Sequence, residues 1–157
     1  MSKLIGEGGF GCVFHPGFNC NGKIDDSKNK EKYVSKIQKK DVSSEMEVVI
    51  GNKIKGISGF KLYFAPIINS CDVGMSKINT NVLSKCSIYE KFKHETSLSL
   101  FKLNYVKSVD LNKELLRKGK KEAINTFCEI YRHILSGIEI LWKHNIVHFD
   151  LKKENII

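Results

Sequence analysis

The sequence predicts an α+β fold, with an antiparallel sheet in its first two thirds and helices in its last third. Short apolar runs punctuated by glycine and asparagine occupy residues 3–6, 12–15 and 33–38, which is typical of strands. Apolar residues follow helical spacing at 44–57 and, over a longer stretch, at 122–143. With 157 residues, of which 41% are hydrophobic and 27% charged, the chain can bury the core of one ordinary domain.

Each element follows from its local pattern. The insertion at 19–32 is rich in Asn, Lys, Asp and Gly, so we expect an exposed and mobile hairpin tip. Further β-type runs at 64–71 and 98–106 are separated by a polar stretch without a clear period. Gly51 weakens the apolar stripe of the first helix, and we expect this helix to lie against the sheet. The members of that stripe are Met46, Val49, Ile50, Ile54 and Ile57.

The last third of the chain is predicted to be helical from Asp110 onward. Between residues 122 and 143 the apolar positions step by three and four, which indicates a long amphipathic helix. We place the boundary between the sheet-rich part, 1–103, and the helix-rich part, 104–157, near Asn104. The apolar positions of the long helix are Ile124, Phe127, Cys128, Tyr131, Ile134, Leu135, Ile138, Leu141 and Trp142.

Composition narrows the class of protein. Lys and Arg outnumber Asp and Glu by 26 to 17, but the basic residues are scattered, which favours a solvated basic surface over a nucleic-acid interface. The five cysteines include no C-x-x-C pair, so we expect reduced thiols in a cytoplasmic compartment. A metal site at Cys12, His15 and Cys20 is an alternative that lacks a second ligand pair. No apolar run predicts a signal peptide or a membrane crossing.

Residues 5–13 contain the pattern G-x-G-x-x-G followed by a valine. Glycines serve in such a loop because backbone can then approach phosphates without an intervening Cβ atom. A plain turn would satisfy the same pattern. A dinucleotide-binding fold would place a helix after the loop, whereas here another strand follows, which favours a flap between two strands.

Lys36 lies in the strand that follows the insertion, in the context Tyr-Val-Ser-Lys. A lysine on the inner side of an apolar strand needs an acidic partner. Both Glu45 and Glu47 begin the next helix, and we prefer Glu47 because Ile50 and Ile54 follow it at helical spacing. In the alternative interpretation Ser-Glu-Met-Glu is a capping box, in which Glu47 closes the helix start.

Residues 148–155 read H-F-D-L-K-K-E-N, which matches H-R-D-L-x-x-x-N except at Phe149. Together with the glycine loop and Lys36, this motif makes the whole chain resemble the eukaryotic-type protein kinase family. Lys152, two residues after Asp150, resembles the serine/threonine kinases. Residues 11–16 and 33–37, with the insertion between them, also resemble kinases encoded by giant cytoplasmic DNA viruses.

The resemblance implies a small lobe over 1–103, with a sheet and one αC-type helix, and a hinge with the start of a large lobe over 104–157. It implies transfer of phosphate from ATP, with Mg²⁺, to a serine or threonine of a protein. Asp150 would orient the attacking hydroxyl, Lys152 would neutralise the transferring phosphoryl group, and Asn155 would reach the metal. The residues implied at the nucleotide are Ile5, Gly6, Gly8, Gly9, Phe10, Gly11, Val13, Val34, Lys36, Glu47, Leu103 as gatekeeper, Asn104 and Val106 through their backbone, and Asp110 at the ribose.

Two departures limit what the resemblance implies. Phe149 replaces the arginine that pairs with a phosphorylated activation loop, so we do not expect that route of activation. No D-F-G or A-P-E occurs in the 157 residues. We therefore expect an N-terminal fragment with little or no transfer activity by itself, and a long helix whose uncovered apolar face favours self-association.

Two other functions remain open from the sequence. One is a pseudokinase or ATP-binding interaction module without catalysis. The other is a small-molecule kinase of similar fold, which Lys152 disfavours. The expected location is the cytoplasm, or the host cytoplasm or virion for a viral protein, and the sequence indicates no particular protein substrate.

Overall fold

The computed structural model describes residues 2–107, 111–152 and 155–156. These residues form two compact units. The first unit comprises residues 2–56 and 65–105, and the second comprises residues 57–64 and the described residues from 106 onward. The chain is α+β, with one five-stranded antiparallel sheet and several helices, which confirms the predicted class.

The sheet belongs to the first unit and has the strand order β1-β2-β3-β5-β4. The strand predicted at 64–71 begins only at Asn69. Pro66 has no backbone N–H to donate to a neighbouring strand, which disfavours an earlier start. Ile67 in that run is buried against α1 instead of lying in the sheet. The strands are β1 (Lys3–Glu7), β2 (Gly11–His15), β3 (Tyr33–Lys39), β4 (Asn69–Gly74) and β5 (Ser97–Asn104).

Successive residues of β3 point to opposite faces of the sheet. Lys36 is paired with Val13 on β2 and with Phe101 on β5, and these residues define the Lys36 face. Ile37 is fully buried and is paired with Cys12 and Leu100, which define the Ile37 face. The main hydrophobic core lies on the Ile37 face.

Helix α1 (Val42–Lys55) lies on the Lys36 face and begins with a capping box. Asp41 accepts a hydrogen bond from the backbone N–H of Ser44, whose hydroxyl also lies 3.2 Å from the hydroxyl of Ser99. Ser44 and Gly51 are the buried residues of this helix, and a Cβ atom at Gly51 would lie 3.5 Å from Ile67. The helix therefore approaches the sheet through small residues.

The expectation that this helix lies against the sheet is confirmed, but much of its apolar stripe does not cover the sheet. Met46, Val49 and Ile50 are 50%, 57% and 37% exposed. Their spacing predicts the helix correctly, but the close approach at Ser44 and Gly51 leaves the larger side chains on the outside. Periodicity alone does not show which side of such a helix meets the sheet.

The Ile37 face is covered by the connection between β4 and β5. This connection contains a 3₁₀ turn (Met75–Lys77) and two short helices, α2 (Thr80–Leu83) and α3 (Tyr89–Phe92). Because its apolar residues sit on separate short turns, they show no regular period in the sequence. Those buried in the main core are Ile78, Val82, Leu83, Cys86 and Phe92.

Four cysteines form disulfides, which corrects the expectation of reduced thiols. Cys12 is bonded to Cys86 and Cys20 to Cys71, across sequence separations of 74 and 51 residues. Such partners meet only when the sheet and its covering segment assemble, so spacing could not reveal them. Because Cys12 and Cys20 belong to different disulfides, a metal site shared by them with His15 is also wrong. Cys128 is free and exposed.

The second unit contains helices α4 (Leu111–Leu116) and α5 (Lys120–Lys143), together with residues 57–64. One side of α5 packs on that segment, where the ring of His133 stacks on Tyr63 at 4.5 Å. The other side carries large exposed apolar residues, as expected for an uncovered face. They are Ile124, Phe127, Tyr131, Leu135, Ile138 and Trp142, between 38% and 73% exposed.

The part of the chain that the structure describes has no helix with both the length and the hydrophobicity that a membrane crossing requires.

Candidate functional site

The glycine loop joins β1 to β2 at one end of the sheet. It closes with a hydrogen bond from the backbone N–H of Gly8 to the carbonyl of Gly11, at 3.0 Å. Gly11 is required by the fold, because a Cβ atom there would lie 2.7 Å from the carbonyl oxygen of Ile37. At Gly8 and Gly9, by contrast, a Cβ atom would meet nothing within 4 Å, and neither residue has a positive φ.

Packing and backbone conformation therefore explain only the last glycine of the loop. The open space at Gly8 and Gly9 leaves room for a ligand to approach the backbone closely, although the N–H of Gly8 is already used by the carbonyl of Gly11. Phe10 at the loop tip is 70% exposed. Ile5 is 48% exposed and lies where the β1–β2 register shifts between Leu4 and Gly6.

Lys36 forms an ion pair with Glu47 of α1. Its Nζ donates to both carboxylate oxygens, at 2.7 and 2.8 Å, and the two side chains are 22% and 35% exposed. The helix cap is made by Asp41 and Ser44, so the interpretation of Glu47 as a capping residue is wrong. The ammonium of Lys36 is therefore held in one place on the sheet by a group from another element.

Glu45, the other candidate partner, lines a separate cavity of about 290 Å³ between α1, β4 and β5. The salt bridge between Lys40 and Asp72 forms part of the lining of that cavity. None of the residues that the sequence assigned to the nucleotide lines it. The cavity nevertheless borders the Lys36 face, because Phe101, the cross-strand partner of Lys36, is among its lining residues.

Other predicted site residues share the Lys36 face. Val13 is the cross-strand partner of both Gly6 and Lys36, and Val34 is paired with Leu103. Gly11 lies on the same face, since it is paired with Gln38. The first unit thus brings six predicted positions to one face of the sheet: Gly6, Gly11, Val13, Val34, Lys36 and Leu103.

The predicted hinge residues are only partly described. Asn104 is exposed at the end of β5, where it pairs with Tyr33. Val106 belongs to the second unit and is 41% exposed. Asp110 lies outside the described residues, so its predicted position at the ribose stays a prediction.

Sequence reasoning missed Phe101, whose ring centroid lies 5.9 Å from Nζ of Lys36. The sequence does contain a signal for this position. Phe101 follows Leu100 in the apolar run of β5, so the two side chains point to opposite faces and Phe101 falls on the face of Lys36.

The predicted catalytic segment follows α5 within the second unit. Asn145 ends the helix with φ of 54°, a left-handed conformation that asparagine tolerates better than most residues. Ile146 is buried, whereas Phe149 is 95% exposed. Lys153 and Glu154 of the motif lie outside the described residues.

Asp150, Lys152 and Asn155 contact one another. Nζ of Lys152 lies 2.8 Å from Oδ2 of Asp150, and the amide nitrogen of Asn155 donates to the backbone carbonyl of Asp150 at 2.7 Å and to Oδ2 at 3.1 Å. The hydrogen bond from Lys152 holds the pKa of the Asp150 carboxyl below its usual value, and the Asn155 amide lowers this pKa further. Asp150 is therefore a carboxylate at neutral pH.

Because the amide nitrogen of Asn155 makes both of these bonds, its Oδ1 is the atom that could bind a cation. Oxygen is the ligand atom that Mg²⁺ prefers, and this ion commonly takes only one or two protein ligands beside phosphate and water. Asn155 thus offers one oxygen ligand for such an ion. Across residues 2–107, 111–152 and 155–156, no group of three or more His, Cys, Asp or Glu could hold a metal ion by itself.

Comparison with known proteins does not assign the chain to a family. No protein-family model matches it. It is similar to a RING finger protein of Plasmodium falciparum, with 31% identity over 131 residues, which is 82% of this chain. The matched region is only 9% of the length of that protein.

Gly11 and Gly8 should respond differently to substitution by alanine, because only Gly11 is closely surrounded by other atoms. Gly11→Ala is expected to lower the free energy of unfolding by about 1–3 kcal/mol, because its methyl group meets the backbone of β3. Gly8→Ala, the matched control, is expected to change it by less than about 0.5 kcal/mol, since its methyl group meets open space. Urea unfolding of both variants measures the difference, and equal effects would contradict this assignment.

The pKa of Asp150 offers a second check. In ¹³C NMR, the pKa of its carboxyl should lie below the usual aspartate value, so Asp150 stays ionised at a lower pH than an unpaired aspartate does. Lys152→Met should raise this pKa by removing the principal hydrogen bond, while the Asn155 bond remains. Lys143→Met, which removes a lysine paired with Glu139, serves as control and should leave the Asp150 titration unchanged. An unaltered pKa in Lys152→Met would refute the contact.

Proposed function

We propose that this chain carries the nucleotide-binding lobe and the catalytic loop of an ATP-dependent serine/threonine protein kinase. The observation that carries the proposal is the Lys36–Glu47 ion pair, on the same sheet face as the base of a glycine loop with two sterically unexplained glycines. An ammonium held in place and a glycine loop that lets a ligand approach its backbone together suit a polyphosphate.

In this proposal the nucleotide phosphates lie between the loop and Lys36. The backbone N–H of Gly9 donates a hydrogen bond to a phosphate oxygen, the N–H of Gly8 keeps the loop closed on Gly11, and Nζ of Lys36 supplies positive charge. Glu47 fixes the lysine side chain before the nucleotide arrives, so less conformational entropy is lost on binding. The apolar side chains of Val13, Val34 and Leu103 form the surface for the adenine ring.

The second part of the proposal concerns Asp150, Lys152 and Asn155. The Asp150 carboxylate accepts a hydrogen bond from the attacking serine or threonine hydroxyl and orients it toward the γ-phosphorus. Lys152 turns its ammonium toward the charge that develops on the transferring group. Mg²⁺, held in part by Oδ1 of Asn155, would neutralise phosphate oxygens.

Similarity to a RING finger protein does not lead us to propose zinc binding. A structural zinc site needs four cysteine or histidine ligands. Four of the five cysteines of this chain are bonded to one another in pairs, and the remaining one, Cys128, stands alone on α5. The described residues thus offer no cysteine set for such a site.

Nucleotide binding by the purified chain tests the first part. Lys36→Met should weaken binding of ATP with Mg²⁺ by about 10- to 100-fold, because a hydrogen bond to a charged group is lost. Lys39→Met is the matched control, since Lys39 is on the same strand but pairs with Glu95 and is more exposed. Its Kd should stay within about twofold of the parent chain. Calorimetry measures both, and equal affinity of the Lys36 variant and the parent would contradict the proposal.

Phosphoryl transfer tests the catalytic roles proposed for Asp150, Lys152 and Asn155. The assay uses the protein in the form that its gene encodes. Asp150→Asn should reduce transfer from radiolabelled ATP to serine- and threonine-containing proteins by at least about 100-fold, because the acceptor for the hydroxyl proton is lost. ATP affinity should change little, since Asp150 does not contact the base or sugar in this proposal. Asp26→Asn, at an exposed position of the 19–32 insertion, is the control. Undiminished transfer by the Asp150 variant would rule out its catalytic role.

A further inference from the structure

The glycine loop is attached at its base to the segment that covers the opposite face of the sheet. The loop begins after Glu7 and leads into Cys12, and these two residues are direct cross-strand partners. Cys12 lies on the Ile37 face, where it is fully buried. The base of the loop therefore presents one side chain from each strand to the covering segment.

Two consecutive residues of the covering segment bind these side chains. Cys86 forms the disulfide with Cys12 and is itself 2% exposed. The backbone N–H of Ser87 donates a hydrogen bond to Oε2 of Glu7, at 3.0 Å. We call residues 86 and 87 the clasp. It joins both strands at the point where they enter the loop.

The clasp is itself held firmly. Leu83, three residues before Cys86, is fully buried in the core cluster with Ile37 and Leu100. Phe92, on the other side of the clasp, is buried in the same cluster. Because short helices on both sides are anchored in the core, movement of the clasp relative to the sheet is restricted.

The loop needs such an anchor. β1 is an edge strand that pairs with β2, and their register is interrupted between Leu4 and Gly6. Within the loop, the hydrogen bond from Gly8 to Gly11 closes the turn, while a side chain at Gly8 or Gly9 would meet no neighbour. The loop tip is thus positioned mainly from its base.

We propose that the clasp is a positioning device for the glycine loop, which holds the loop over the Lys36 face in the form that receives a nucleotide polyphosphate. This inference rests on the proposed nucleotide site for its effect on affinity. The clasp touches the Ile37 face only, so it acts without contacting the ligand. It raises affinity because a loop that is already ordered loses less entropy on binding.

The covalent part of the clasp can be reduced, but both of its cysteines are buried, so a reductant reaches the bond only when the covering segment opens. When the Cys12–Cys86 bond accepts two electrons and two protons, it becomes two thiols. A dithiol such as dithiothreitol supplies them and closes into its own cyclic disulfide. After reduction the hydrogen bond to Glu7 remains, but it is exposed and by itself holds only β1.

The second disulfide provides a matched control. Cys20–Cys71 links the 19–32 insertion to β4, away from the base of the loop. Both disulfides close long stretches of chain, so both contribute to general stability. Only cleavage of Cys12–Cys86 is expected to affect the loop.

The test uses the oxidised chain with Cys128→Ser, which removes the exposed thiol. In this background, Cys12→Ser with Cys86→Ser should speed amide hydrogen exchange at residues 8–11 by at least about tenfold. The same variant should weaken binding of ATP with Mg²⁺ by about three- to tenfold. Cys20→Ser with Cys71→Ser should leave the exchange of the loop and the Kd within about twofold of the parent.

If the variant with Cys12→Ser and Cys86→Ser does not fold, two further measurements test whether the clasp positions the loop. In the Cys20→Ser, Cys71→Ser chain only the clasp disulfide remains. Because both of its cysteines are buried, dithiothreitol reduces it when the covering segment opens transiently, and the reduced chain should show the same change in loop exchange. Glu7→Ala, at an exposed position, removes the hydrogen bond to Ser87 and should accelerate loop exchange by a smaller factor.

Hydrogen exchange of the loop and the affinity for ATP distinguish failure of the clasp proposal from failure of the nucleotide-site proposal. If no variant binds ATP but cleavage of Cys12–Cys86 accelerates loop exchange, the positioning role stands and the nucleotide proposal fails. If ATP binds and cleavage changes neither loop exchange nor Kd, the clasp is overturned and the nucleotide proposal stands. Equal effects from the two disulfides would also overturn the clasp, because they would indicate general loosening of the sheet.

Discussion

The two-residue period of strand β3 is the constraint on which the first unit depends. Lys36 and Ile37 are neighbours in the chain but lie on opposite faces, one paired with Glu47 and the other fully buried. A shift of one residue in register would bury the lysine and expose the isoleucine. β3 is hydrogen-bonded to β2 on one side and to β5 on the other, so two neighbouring strands fix its register. The ion pair of Lys36 on one face and the burial of Ile37 on the other favour the same register.

The same alternation connects the candidate nucleotide site with the covering segment. Gly11 and Cys12 are adjacent on β2. Gly11 permits close approach to the carbonyl of Ile37, and Cys12 reaches the other face to bond with Cys86. The position of the glycine loop therefore depends on both faces of the sheet. A ligand on the Lys36 face and a redox reagent on the Ile37 face would act on the same short hairpin.

Prediction from sequence succeeded where structure is local. The strands predicted at 3–6, 12–15 and 33–38 lie within one residue of the observed β1, β2 and β3, because alternation and flanking glycines are short-range signals. The long helix was predicted at 122–143 and spans Lys120–Lys143. The strand predicted at 64–71 begins five residues late, at Asn69, since apolar residues around Pro66 suit a buried loop as well as a strand.

The sequence by itself determined the local features: the strands, the long helix, the glycine loop, and the contact between Asp150 and Asn155, which lie only five residues apart in the chain. The helical spacing also favoured Glu47 over Glu45 as the partner of Lys36, and the structure pairs these two residues. Tertiary structure alone decided which cysteines pair, which polar stretch covers the Ile37 face, and which side of α1 meets the sheet. The reason is physical. Each of these contacts joins residues far apart in the chain, and its partner is selected only when the faces pack together.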